Sequence, residues 1–230
     1  MNILILSSMT NRHFLEDFKL GNHFIAHGHN VMVADINQVN STMNSVYDVV
    51  LFRNFVPDNV NMLNTIKPLY EEKIALIPDV TKVYNKYDVG LYVDVGLKCN
   101  IPFAEKVKEG IGYGLYFPFR VSNTSDNSNF VIQKVYEKYY HAIIIDGSIV
   151  YVYSESKGLK KQESIENSKL LEIASYLKEQ DIDMAEVIFS MDGGDMILSF
   201  VDATYVTLDN RLCDESKLYS SVLNVIERKK

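Results

Sequence analysis

The sequence predicts an α/β fold that becomes α+β in its second half. A parallel sheet with helices comes first, then a mainly antiparallel sheet with flanking helices. Three observations carry this expectation. Short apolar runs alternate with helical stretches from Asn2 to Ile77, as in an open parallel sheet covered on both faces. Asp146-Gly147 stands between two β-rich runs, 140–145 and 149–153, and an Asp-Gly pair there signals a hairpin. Asp192-Gly193-Gly194 stands between the runs 184–190 and 195–201 and signals another.

The elements justify themselves in order. Residues 2–7 are continuously apolar and read as a strand buried on both faces. A helix follows over 11–27, with Phe14, Phe18, Phe24 and Ile25 inward and Gly28 as its left-handed cap. Residues 31–36 make the next strand, which completes a right-handed βαβ unit. The pattern then repeats as strand 47–52, helix 59–70 and strand 74–77. Ligands of such sheets bind beyond the carboxyl ends of the strands, here Ser7-Ser8, Asp35, Asn37, Arg53-Asn54 and Pro78-Asp79. No Gly-rich fingerprint follows the first strand, which speaks against a dinucleotide site.

A helix is predicted over 80–99, and Asn100-Ile101-Pro102-Phe103 turns the chain into a second domain. Short twisted strands suit the glycine- and aromatic-rich 110–121, and a polar loop suits 122–129. The central strands are 131–135, 140–145 and 149–153. A charged connector is expected at 154–163, and amphipathic helices at 165–180 and 214–228.

Composition bounds the function. The chain has 230 residues, 47% of them hydrophobic, enough for a real core. A net charge of −7 argues against nucleic-acid binding through a basic surface. Arg228-Lys229-Lys230 is the one basic cluster and reads as a solvated helix end. Cys99 and Cys213 read as separate reduced thiols. With no signal-like start and no apolar run of about 20 residues, the expectation is a soluble, cytoplasmic protein without a membrane partner.

His23 and His27 share a helix face at metal-pair spacing, with His29 nearby. No third ligand is evident, so a surface or cap role is the reading. No Gly-x-Ser-x-Gly elbow, Cys/His pair or Walker loop occurs. Asp192, Asp195 and Asp202 flank the second hairpin. Asp192 has an ordinary role in the turn, whereas Asp202 lies where a strand end would aim it at a cleft.

The order of elements resembles the ATP-grasp superfamily, particularly its glutathione-synthetase-like and ribosomal-protein glutamate ligase branch. Residues 46–53, ending in Arg53, look like a strand of the family's leading domain. Asn85-Lys86-Tyr87-Asp88 and the stretch from Gly96 to Pro102 look like its lysine-bearing helix and "Gly-Ile-Pro" segment. Val131-Ile132-Gln133-Lys134-Val135 looks like the strand whose backbone reads adenine. The hairpin 141–152 and the closing segment 165–201 also match in order.

The resemblance implies a pre-ATP-grasp, Rossmann-like domain over 1–100 and a reduced ATP-grasp-like domain over 101–230. It implies ATP and Mg²⁺ as cofactors. Lys86, Arg120, Gln133, Lys134, Val135 and Glu137 would bind the nucleotide, Arg120 would be catalytic, and Asp202 would hold the metal.

Departures accompany it. Arg120 stands where the family has a lysine, and the loop 122–129 after it has no glycine to approach a phosphate. Lys134 stands where an acidic hinge residue is expected. The family's metal positions should fall near Ile188-Phe189 and 199–201, which are apolar or neutral and leave Asp202 as the only acid. The chain is also short between Arg120 and Val131.

Phosphoryl transfer rests on charge neutralisation, and one lost electrostatic contact costs about 3 kcal/mol. The implied function is therefore a catalytically degenerate carboxylate–amine ligase-like protein serving as a binding or structural partner. An active ligase working through an acyl-phosphate is the alternative. An assembly component using the aromatic stretch 113–119 is another. A nucleotide, and a protein partner or second copy, are the partners these readings imply.

Overall fold

The computed structural model describes residues 1–7, 14–35, 46–53, 74–79, 90–102, 138–156, 158–203 and 206–229. Strands β1 (Asn2–Ser7), β2 (Asn30–Asp35), β3 (Val49–Phe52) and β4 (Ala75–Ile77) form a parallel sheet in the order β2-β1-β3-β4. Alternate residues enter different cores. Ile3, Ile5, Val49, Leu51 and Ile77 pack on one face, and Leu4, Leu6, Val50, Phe52 and Leu76 on the other. Helix α1 (Phe14–Ala26) lies on the first face through Leu20 and Phe24. It ends at Gly28, whose φ of 85° allows His29 N–H to bond Phe24 O at 3.2 Å and Gly28 N–H to bond Ile25 O at 3.0 Å. Strand β3 starts at Val49 rather than at Tyr47. The Asp48 carboxylate is spent on the Asn2 N–H at 2.7 Å, and the Asn2 amide bonds Val46 O.

The second sheet is antiparallel, ordered β7-β6-β5-β8-β9. Its strands are β5 (Tyr139–Ile145), β6 (Ser148–Ser156), β7 (Leu159–Glu163), β8 (Met184–Asp192) and β9 (Asp195–Asp202). Asp146 (φ 49°) and Gly147 (φ 71°) make the two-residue turn expected between β5 and β6. Gly147 is required twice over, because a Cβ there would also lie 2.7 Å from the Lys178 side chain.

The charged connector expected at 154–163 is instead the end of β6, a turn at Gly158 (φ 77°), and strand β7. Its charges are neutralised across the ladder. The Glu163 carboxylate accepts from Lys138 Nζ and Ser154 Oγ, each at 2.8 Å, and Lys160 Nζ lies 4.9 Å from the Tyr153 ring centroid.

Helix α2 (Gly90–Lys98) is the described part of the helix predicted over 80–99. With α3 (Ser168–Glu179) it covers the outer face of this sheet, where Val95, Ile173 and Leu177 meet Val152, Val187 and Leu198. The helix expected from 165 starts at Ser168, because Asn167 caps it with a bond from Lys169 N–H at 2.8 Å. Asp214 caps α4 (Glu215–Arg228) in the same way.

Both halves share one core. Helices α1 and α4 and the inner face of the parallel sheet pack with Ile143, Ile145, Tyr151, Tyr153 and Met184 of the antiparallel sheet. A buried polar cluster pins the same junction. Arg53, expected to face ligand at a strand end, is instead 1% exposed. Its Nε donates to Asp17 Oδ1 at 2.7 Å and its Nη1 to Val206 O at 3.0 Å, while Ser7 Oγ donates to Asp17 Oδ2.

Nor is the basic C-terminus a free solvated end. Arg228 pairs with Asp146 and with the buried Asp183 (2.9 Å), and Lys229 with Asp183 at 2.9 Å, fastening α4 to the start of β8 and the β5–β6 turn. The predicted helix 59–70, the strands and loop over 110–129, and strand 131–135 lie outside the described residues.

Breaking a buried pair strands its surviving charge. Asp17→Asn is therefore expected to cost about 3–5 kcal/mol. Arg228 is half exposed and its loss leaves Lys229 paired with Asp183, so Arg228→Gln should cost about 1 kcal/mol. Urea unfolding midpoints of the two variants check the contrast.

Candidate functional site

Strand β8 reads MAEVIFSMD, and its inward residues alternate with the apolar set that faces α2 and α3. That period places Glu186 on the face turned toward the parallel half, 5% exposed. The carboxylate is met by donors from separate elements. Tyr153 OH of β6 donates to Oε1 at 2.7 Å, and the Thr207 backbone N–H donates to Oε2 at 2.9 Å. His141 Nδ1 of β5 lies 2.8 Å from Oε1.

The His141 and Tyr153 rings stack with centroids 4.5 Å apart. Tyr151 OH extends the network to Thr207 O at 2.6 Å and accepts from Asp209 N–H at 3.3 Å. Asp209, also buried, holds Arg211 in a two-bond fork, Nε to Oδ1 at 2.8 Å and Nη2 to Oδ2 at 2.6 Å.

These surroundings set the charges. Burial by itself would raise the Glu186 carboxyl, but bonds from His141, Tyr153 and Thr207 outweigh it and hold the group below its ordinary value. Burial, reinforced by Glu186, pushes the Tyr153 phenol well above its usual range, so it remains a donor. The Arg211 bonds hold Asp209 low against the opposing effect of burial.

Of the residues the sequence nominates, Asp202 is described. It ends β9 directly opposite Glu186, and antiparallel partners share a face. The expectation that Asp202 is the only acid there is corrected: an acid stands on each of the two closing strands. The cause is a bulge. Counting outward from the Asp192–Asp195 pair, the ladder slips by one residue between Ile188 and Phe189 and so brings Asp202 against Glu186 rather than Ala185. Asp192 and Asp195 flank the Gly193-Gly194 turn and are exposed. Lys86, Arg120, Gln133, Lys134, Val135 and Glu137 lie outside the described residues.

His23 is spent on the α1–α4 contact, and the exposed His27 bonds within α1. Their rings sit 4.3 Å apart, His23 packs on Tyr219, and His27 Nδ1 bonds His23 O at 2.8 Å. Burial, then His27, lowers the pKa of His23. Cys99 is buried, and burial raises the half-buried Cys213 to about 11.

Two sheets, with the Glu186 face of the second turned toward the parallel half, superpose over the whole chain on solved ATP-grasp proteins: the chain has the ATP-grasp fold. Particular solved structures make the likeness concrete. D-cycloserine synthetase DcsG superposes with a TM-score of 0.71 at 10% identity, covering 100% of both chains. The RimK domain protein ATP-grasp from Sphaerobacter thermophilus DSM 20745 gives 0.71 at 12%, covering 98% of this chain and 99% of the other. ATP-grasp ligase PsnB, complexed with minimal precursor, Mg and ADP, gives 0.67 at 9%, covering 98% of each. No protein-family model and no curated protein matches the sequence.

The donor set can be tested against Mg²⁺. Glu186 has protein donors on both oxygens, and among the described residues no group of three or more His, Cys, Asp or Glu is arranged to hold a metal. The described residues do not fit the ion as they stand.

Glu186→Gln puts an amide N–H among donors, and the expected loss is about 2–3 kcal/mol at neutral pH. Because the folded carboxyl is held below its ordinary value near 4.5, its stabilisation is complete above that pH and is lost as pH falls through the folded value. Denaturation curves from pH 7 to 3 should show the gap between wild type and variant closing below about pH 4.5.

Proposed function

We propose that the protein is an ATP-grasp-fold member of the carboxylate–amine ligase class that has lost turnover and works as a binding or structural partner. It would act in the cytoplasm, with residues 1–100 and 101–230 as its two halves. The carrying observation is Glu186. Facing Asp202 where a cation would be clasped, it is committed to His141, Tyr153 and Thr207. A divalent ion on Oε1 would have to displace His141 and Tyr153 at about 1–3 kcal/mol each, and Oε2 already accepts the Thr207 N–H. PsnB has been crystallised with Mg and ADP, and with a precursor peptide and AMPPNP. By that likeness, a nucleotide and a peptide are the ligand classes to try first.

One observation favours a second reading, an active ligase that joins a carboxylate to an amine through an acyl-phosphate: acids occupy facing positions on both closing strands.

Melting curves with millimolar ATP, in Mg²⁺ and in EDTA, separate the two, alongside an ADP-release assay with amine acceptors. Under the degenerate reading any shift is the same in both buffers and no ADP forms. A ligand at 100 times its Kd stabilises by about 2.7 kcal/mol, enough to be read. A Mg²⁺-dependent shift with ADP release would establish the active ligase instead.

A further inference from the structure

Beside the Glu186 network a cavity of about 800 Å³ opens between α1, the β6–β7 turn and the segment leading into α4. Lys19, Lys160 and Arg211, from three separate elements, stand on its wall, with Leu212 among its apolar lining. Arg211 is the informative member. Its side chain is 76% exposed, yet its guanidinium is fixed by a two-bond fork to Asp209, whose side chain is 2% exposed. The Arg211 backbone N–H adds a third bond to the same carboxylate, at 3.0 Å.

An exposed arginine ordinarily keeps its rotamer freedom and loses it only when a ligand binds. Here a buried carboxylate has already removed that freedom, leaving Nη1 without a protein acceptor among the described residues. Lys160 is restrained too, over the face of Tyr153.

We propose that this cavity is a preorganised anion site in which Arg211, with Lys160 and Lys19, takes the carboxylate or phosphate group of a small ligand. A carboxylate or phosphate can place two oxygens on the Nη1–Nη2 edge that the Asp209 fork leaves open, which a flexible lysine could not offer alone. Glu16 and Glu155 on the same wall disfavour a bare polyanion and suit a ligand that also carries an ammonium. The cavity lining includes neither Glu186 nor Asp202, so the proposal does not depend on whether nucleotide is bound or turned over.

The test is an NMR titration of the full chain, following the Arg211 Nε–H resonance, with L-glutamate in one arm and inorganic phosphate in the other. A saturable shift is expected in at least one arm, and the tighter arm identifies the source of the anion. Arg211→Gln should weaken binding tenfold or more. Arg211→Lys, which keeps the charge and loses the fork, should weaken it several-fold; because both variants disturb the buried Asp209 and are expected to melt below wild type, Lys160→Gln, which leaves the Arg211–Asp209 fork intact, should weaken binding as well. No saturable shift at tens of millimolar in either arm would overturn the site. So would binding unchanged in Arg211→Gln or Arg211→Lys.

Discussion

Glu186 is the constraint around which the antiparallel half is arranged. A carboxylate removed from water loses several kcal/mol of hydration, and it can remain ionised only if donors replace that water. Charge-assisted hydrogen bonds contribute about 1.5–3 kcal/mol each, so several are needed. They come from β5, β6 and the chain just beyond β9. One side chain on β8 thus fixes the register of its neighbours and the path of the segment leading to α4. Tyr151 reinforces that path by bonding the carbonyl of the same threonine whose amide serves Glu186.

The segment secured in this way is also where the two halves are joined. Arg53 reaches Val206 O from the end of β3, one residue before Thr207. Helix α4 begins shortly after, and Tyr219, Val222 and Ile226 enter the core that both sheets share. Apolar burial supplies the bulk of the driving force and is non-directional. The Arg53–Asp17 and Glu186 clusters make it directional, because each is satisfied in one arrangement of the two sheets. The candidate site therefore lies at the junction for a structural reason. Buried charge is tolerable there because donors and acceptors meet it, from both halves for Arg53–Asp17 and from the antiparallel half for Glu186.

Periodicity and turn chemistry made much of the fold legible. The apolar runs of β1 and β3, the Asp146-Gly147 turn and the stripes of α3 and α4 all follow from spacing and composition. Strand β7 did not, because its Lys-Lys-Gln-Glu composition has no apolar face and its charges are neutralised only by partners brought near by pairing. Arg53 was legible as a strand end but not as a buried group. Its partner Asp17 is 36 residues away, and nothing local marks the pair. The Glu186–Asp202 juxtaposition was hidden by the bulge between Ile188 and Phe189. A slip of one residue reassigns every facing pair beyond it, and no glycine or proline at the site announces it.

The same physics explains how a fold can persist while its chemistry becomes separable from it. At 9–12% identity to the solved ATP-grasp structures, this chain shares their fold, which rests on alternating apolar residues and turns. Those demands are met by many residue choices. Chemistry on phosphates needs particular charges left available, a far narrower requirement. Glu186 shows the two demands competing for one group. A carboxylate with its oxygens engaged by Tyr153, His141 and Thr207 rigidifies the scaffold. To serve a cation through Oε1 it would have to release His141 and Tyr153. Asp209 shows the opposite resolution. Its burial fixes Arg211 at a cavity wall with part of the guanidinium uncommitted, so structural satisfaction on one side leaves binding capacity on the other. Whether a buried acid supports function thus depends on its partner, and a partner that still faces solvent is what keeps a site open.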